Sequence, residues 1–248
     1  SFVQIREFGG PNLLTRKAIY YTFDDPIAEL DLSGSEQIEV DWVDTDLSRR
    51  PDTVEISFRT ERLPTFTAPA ISGSWTLLSG KNGAVTHFNV FVDTEPSSSY
   101  NGRVRMMVSG SNGLQQASSS KLPLFDGDAF TVMMVRTTGS FADSYELFVK
   151  KSLYTKITHE SSASVSGVSS SLWETATDIV IGNEYSGSVD EFRMWKVPLT
   201  EASFNHHVRW HESIRGDHYT SSVQDLVVRL TFDRPQDLAT STLLPNFA

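Results

Sequence analysis

Short runs of alternating apolar and polar residues dominate this chain. Thr53 to Arg59 is the clearest: Val54, Ile56 and Phe58 fall on one face, Glu55, Ser57 and Arg59 on the other. A period of two describes a strand with one face buried and one face in water. Val85 to Val92 and Val104 to Val108 predict two more strands. Between them, Pro96, three serines, Asn101 and Gly102 supply turn chemistry. Phe130 to Val135 is apolar on both faces, which predicts a central strand. Tyr145 to Lys151 follows a Gly/Ser/Asp turn, and Ile179 to Ile181 and Val189 to Trp195 close the series.

Strands this short and frequent predict an all-β fold, an antiparallel β-sandwich or jelly roll. Seven serines between residues 161 and 171 predict a long, polar, mobile surface loop. Helical spacing occurs once, late in the chain. Thr200 is the N-cap, Glu201 lies in the first turn, and Phe204, His207, Val208 and His211 share a face. The fold class expected is therefore a sandwich with one short C-terminal helix.

Residues 19–26 (Ile-Tyr-Tyr-Thr-Phe-Asp-Asp-Pro) are echoed by residues 228–235 (Val-Arg-Leu-Thr-Phe-Asp-Arg-Pro) at a constant offset of 209. A repeat implies a repeated structural unit. Either the two segments are equivalent strands meeting in one sandwich, or the second begins a following domain. The organisation expected is an N-terminal extension (1–17), one jelly-roll domain (18–215) and a C-terminal extension (216–248).

Composition narrows the function classes. The 248 residues carry 31 acidic and 21 basic side chains, a net charge of −10. That balance gives no electrostatic reason to expect nucleic acid as a partner. Absence of cysteine excludes a disulfide scaffold, a Cys-ligated zinc and a thiol nucleophile. No run approaches the roughly 18 apolar residues of a membrane span. The first residue is Ser and no signal peptide is visible, as in a processed chain or a segment of a longer one. P-loop, dinucleotide-binding and nucleophile-elbow motifs are all missing.

Gly187-Ser188-Val189-Asp190-Glu191-Phe192-Arg193-Met194-Trp195, followed by Val197-Pro198-Leu199-Thr200, resembles the last core strand and helix cap of laminin-G-like, concanavalin-A-like jelly rolls. Residues 56–60, 75–79, 130–136 and 145–149 resemble that family's earlier strands in order, the last two being its central hairpin. Lys150-Lys151 departs from the pattern, standing where a Gly turn is usual. The resemblance spans residues 18–205. It implies a rim calcium held by acids such as Asp93, Asp126, Asp128 or Asp143, with no spacing that selects among them. It also implies an architectural Asp190-Glu191 pair: one acid holding a neighbouring backbone or basic group, the other facing out. Residues 219–222, 225–230 and 244–246 are similar to segments of virion structural proteins from tailed bacteriophages.

Three side-chain sets are candidates for chemistry. Glu39-Val40-Asp41-Trp42-Val43-Asp44 resembles the E-x-D-x-x-E signature of laminarinase-type glycoside hydrolases, with Glu39 and Asp44 as the two carboxylates. Against this stands an edge strand in which Glu39 and Asp41 face water. His206, His207 and His211 offer two imidazoles four apart, with Glu212 or Asp217 as a third metal ligand. Trp173, beside the Ser-rich stretch, is the candidate exposed tryptophan for stacking on a sugar.

The expectation that follows is a non-enzymatic structural or adhesive virion module, contacting neighbouring subunits in an oligomeric assembly or a surface glycan. Its location would be the virion, and lack of cysteine fits assembly in a reducing cell. The alternatives are a carbohydrate-binding, lectin-like domain of a cell-surface or secreted protein, and the glycoside hydrolase using Glu39 and Asp44. No cofactor is expected beyond the calcium.

Overall fold

A computed structural model describes residues 19–21, 30–32, 37–41, 50–60, 74–95, 100–182, 185–218 and 225–231. The expected 1–17 extension lies outside the described residues, as does the last part of the 216–248 extension. Among the described residues, fourteen strands and one α-helix are formed. In chain order the strands are β1 (Ile19–Tyr21), β2 (Leu30–Leu32), β3 (Ile38–Asp41), β4 (Thr53–Thr60), β5 (Ser74–Asn82), β6 (Val85–Thr94) and β7 (Gly102–Gly110). Then come β8 (Gly113–Ser118), β9 (Phe130–Thr137), β10 (Asp143–Leu153), β11 (Lys156–Val168), β12 (Asp178–Ile181) and β13 (Gly187–Trp195). The helix α1 (Glu201–Arg209) precedes β14 (Leu226–Leu230).

The strands form two sheets, as the alternation predicts. The larger runs β1-β14-β13-β4-β9-β10-β11, with β2 beside the first half of β13; the smaller runs β3-β12-β5-β6-β7-β8. Apolar residues of the two inner faces interlock in one core that includes Ile56, Phe58, Phe88, Val90, Met106, Val132, Leu147 and Ile179. Burying such side chains stabilises each by about 1.5–3 kcal/mol, which makes this layer the main source of stability. Among the described residues no helix is long and apolar enough to cross a membrane.

Two expectations about surfaces are corrected. The polar face of β4 is only partly in water: Glu55 and Ser57 are buried, and Arg59 is exposed. Glu55 is covered by α1, whose His207 bonds it and whose Phe204 and Val208 pack with Met133, Val135, Phe148 and Trp195 on the outside of the large sheet, while Ser57 pairs with Thr131 at 3.0 Å. The Ser-rich stretch is not a loop through residue 168. It forms most of β11, paired with β10 from Lys156↔Leu153 to Val168↔Asp143. Its side chains alternate between more and less exposed along an edge strand. Serine is small enough to sit on either face, so its abundance signalled polarity and not irregularity.

The predicted helix cap is present: the Thr200 hydroxyl accepts a bond from the Ser203 N–H. The 209-residue echo takes a definite form. β1 runs parallel to β14, with Ile19 opposite Val228, Tyr20 opposite Arg229 and Tyr21 opposite Leu230. The two copies are neighbours in one sheet at the register of the repeat, and residues 226–230 are a strand of this sandwich.

Candidate functional site

The outer face of the six-stranded sheet holds the best-organised polar surface. Leu78, Phe88, Val90, Met106, Val108, Ile179 and Ile181 all point into the core. Alternation therefore sends Ser79, Asn89, Met107 and Val180 outward. Strand pairing aligns these into one row: Glu39, Val180, Ser79, Asn89, Met107, Gln116. Five interstrand steps of roughly 4.8 Å make the row about 24 Å long. A second row beside it is Thr76, Phe91, Arg105, Ser118. Gly80 permits the underlying packing, since a Cβ there would fall inside the Phe88 ring.

At the middle of the first row two polar atoms are stranded. Ser79 Oγ and Asn89 Oδ1 are both buried and have no hydrogen-bond partner. Leaving such a group withdrawn from water costs about 1–3 kcal/mol, and most native proteins avoid it. Beside them, Arg105 crosses the Phe91 ring with its guanidinium carbon 4.8 Å from the centroid. Its Nε donates to Asp93 Oδ2 at 2.7 Å and its Nη2 to Asp93 Oδ1 at 3.0 Å, a two-pronged pair. Nη2 also donates to Ser74 Oγ at 2.9 Å, and Nη1 to Met107 Sδ at 3.1 Å and Gln116 Oε1 at 3.4 Å. The Asp93 bond raises the guanidinium pKa above its ordinary value, against the opposing effect of burial.

The residues singled out from sequence fall elsewhere or are already engaged. Trp173 is not a sugar platform. It is 0% exposed, stacks on Phe88 at 4.0 Å and donates from Nε1 to the Pro51 carbonyl at 2.7 Å. The single 3-10 turn Leu172–Thr175 carries it into one end of the core. Glu39 and Asp41 lie on β3, the edge strand of the smaller sheet, while Val40 is buried. Asp44 and Trp42 lie outside the described residues.

The four acids considered for calcium each face a cation. Asp93 pairs with Arg105, Asp143 with Arg136 at 2.9 Å, and Asp126 and Asp128 with Lys151 at 2.7 and 2.5 Å. Among the described residues no group of three or more His, Cys, Asp or Glu could hold a metal. His207 is spoken for: its Nδ1 lies 2.9 and 3.0 Å from the two Glu55 oxygens, and its Nε2 donates to the Arg215 carbonyl at 2.7 Å. Its ring stacks on Trp195 at 5.4 Å. Burial and the nearby Arg215 and Arg209 cations lower the His206 pKa.

Asp190 and Glu191 divide as an architectural pair. The register against β4 shifts between Asp190 and Arg193, and Glu191 takes a φ of 45° in that bulge. The strain is compensated by charge. The Glu191 carboxylate lies 2.8 Å from Arg193 Nη2 in an ion pair and accepts from Arg229 Nε at 2.9 Å, and Asp190 Oδ1 accepts from the Glu191 N–H. Glu55, Arg193, Glu191 and Arg229 thus form a buried ionic chain beneath α1 that sequence reasoning did not find.

No family model matches the chain, and no curated protein matches it. Solved structures similar to it include the alginate lyase of Klebsiella pneumoniae, at a TM-score of 0.37 and 11% identity, covering 55% of this chain and 53% of that one. An alginate lyase of Pseudomonas aeruginosa has a TM-score of 0.35 and 11% identity, covering 57% and 61%. The match therefore spans little more than half the length of either lyase. These neighbours correct two expectations. Both are named as alginate lyases and neither as a virion protein, so the expectations of a non-enzymatic virion module and of a chain that is not an enzyme are not kept. The likeness concerns the sandwich; it does not carry alginate cleavage to this chain.

Proposed function

We propose that this chain is a carbohydrate-recognising β-sandwich domain whose glycan lies along the outer face of the six-stranded sheet. The observation that carries the reading is the half-exposed strip of Asn89, Phe91, Arg105 and Met107 at the centre of that face, where Asn89 Oδ1 has no hydrogen-bond partner. A sugar hydroxyl both donates and accepts, so it matches the Asn89 amide, which does the same. The surrounding Thr76 and Gln116 extend the polar contacts, and Phe91 and Met107 supply the apolar area on which a ring rests. The row is several sugar units long, which suits a chain more than a single sugar. A laminin-G-like relationship for the sandwich is supported by the bulged Asp190-Glu191 strand and the Thr200-capped helix.

The test exploits a conflict between stability and binding. Ser79→Ala together with Asn89→Leu removes two unsatisfied buried atoms, so the melting temperature is expected to hold or rise. Binding to a soluble polysaccharide, read by retardation in affinity gels, is expected to weaken at least tenfold. A variant that melts like the parent and binds as tightly would refute the site.

A further inference from the structure

We propose that this face selects uncharged polysaccharide, and that Asp93 sets the selectivity by occupying Arg105. The inference rests on the glycan-binding reading above. Recognition of a uronate or sulfate group uses a cation able to offer parallel N–H bonds to the anion. Arg105 is the cation of the two central rows among the described residues, and its donors are engaged. Both Asp93 oxygens take the Nε and Nη2 hydrogens, Ser74 takes a second bond from Nη2, and Nη1 reaches Met107 and Gln116. One ring face of Phe91 is covered by the same guanidinium.

The rest of the face argues the same way. Glu39 stands at one end of the first row, where it repels a polyanion. Lys81 stands directly across from Asp178, which offsets it. Arg103 and Lys121 both reach Glu95, at 3.8 and 3.1 Å. The groups left for a ligand are the Asn89 and Gln116 amides, Thr76 and the apolar surface of Phe91 and Met107, which are the partners of sugar hydroxyls and ring faces. The net charge of −10 also lowers the local concentration of any polyanion.

Asp93→Asn is the decisive variant, because it keeps the shape and removes the charge that cancels Arg105. The parent is expected to be retarded by at least one neutral polysaccharide, with β-glucan and galactomannan as probes, and not by alginate or heparin. Asp93→Asn is expected to gain at least tenfold in alginate or heparin binding, and added salt is expected to abolish the gain. Thermal melts report folding, and Asp93→Ser serves if the first variant melts early, since its hydroxyl keeps a bond without the charge. Parent binding to alginate that Ser79→Ala/Asn89→Leu weakens would overturn the selectivity but leave glycan binding intact. Retardation by none of the four probes would sink both. A folded Asp93 variant with no new affinity for anions would remove Asp93 from the role.

Discussion

Glu55 shows how much a single residue can hold. It is 0% exposed, lies against both His207 and Arg193, and fixes the underside of α1 to β4. Removing one partner of a buried ionic group leaves the others uncompensated, typically at about 3–5 kcal/mol. Glu55→Ala is therefore expected to lower the unfolding free energy by about that amount in a denaturant titration. A loss below about 1 kcal/mol would show that water reaches the site and the chain of charges holds little. Alternation alone marked Glu55 as a solvent-facing position, because period two reports which residues share a face and not what covers it. Trp173 was misread for a related reason. Its serine neighbours suggested exposure, while the contacts that bury it come from Phe88, Tyr145 and Pro51, distant in sequence. Asn89 carried a legible signal: an amide inside Phe88-Asn89-Val90-Phe91 stands out against its apolar surroundings.

At the scale of elements, α1 is held at its start by two devices. Asp217 accepts bonds from both the N–H and the hydroxyl of Thr200, at 3.0 and 2.6 Å, while Thr200 caps Ser203. Glu201 in the first turn pairs with the buried Lys150 of β10, which also reaches Glu160 at 3.2 Å. Thr200→Ala is expected to cost about 1 kcal/mol, as N-cap losses do. Adding Asp217→Ala should cost less than the two single changes together, because both act through one cap. Strictly additive losses in equilibrium melts would argue that Asp217 stabilises something else. The helix was readable because its cap and spacing are local. β11 was not: a strand of small polar residues differs from a loop only through its partner, β10.

For the whole molecule, the sandwich class was legible in the strand pattern, and the pairing order was not. Nothing local says that β4 sits between β13 and β9, or that β14 returns to cover β13. β14 also delivers Arg229 to Glu191, so it serves both the sheet and the buried charges. Deleting residues 226–248 is expected to expose the edge of β13 and leave the chain aggregation-prone. A truncated chain that stays monomeric and melts within a few degrees of the parent would contradict this.

The adjacency of β1 and β14 bears on how the chain reaches its fold. Contacts between Ile19 and Val228 close nearly the whole chain into a loop. Thermodynamically that closure is cheap, since its entropy grows only with the logarithm of length. Kinetically it is slow, because such distant partners must meet after intervening segments have ordered. During synthesis the first copy of the repeated segment emerges long before the strand it lies beside. The flank of β13 stays bare until the second copy arrives, and for that interval the first copy is the one available to pair with that edge. Nascent-chain folding should therefore stay incomplete until residue 230 has cleared the ribosome.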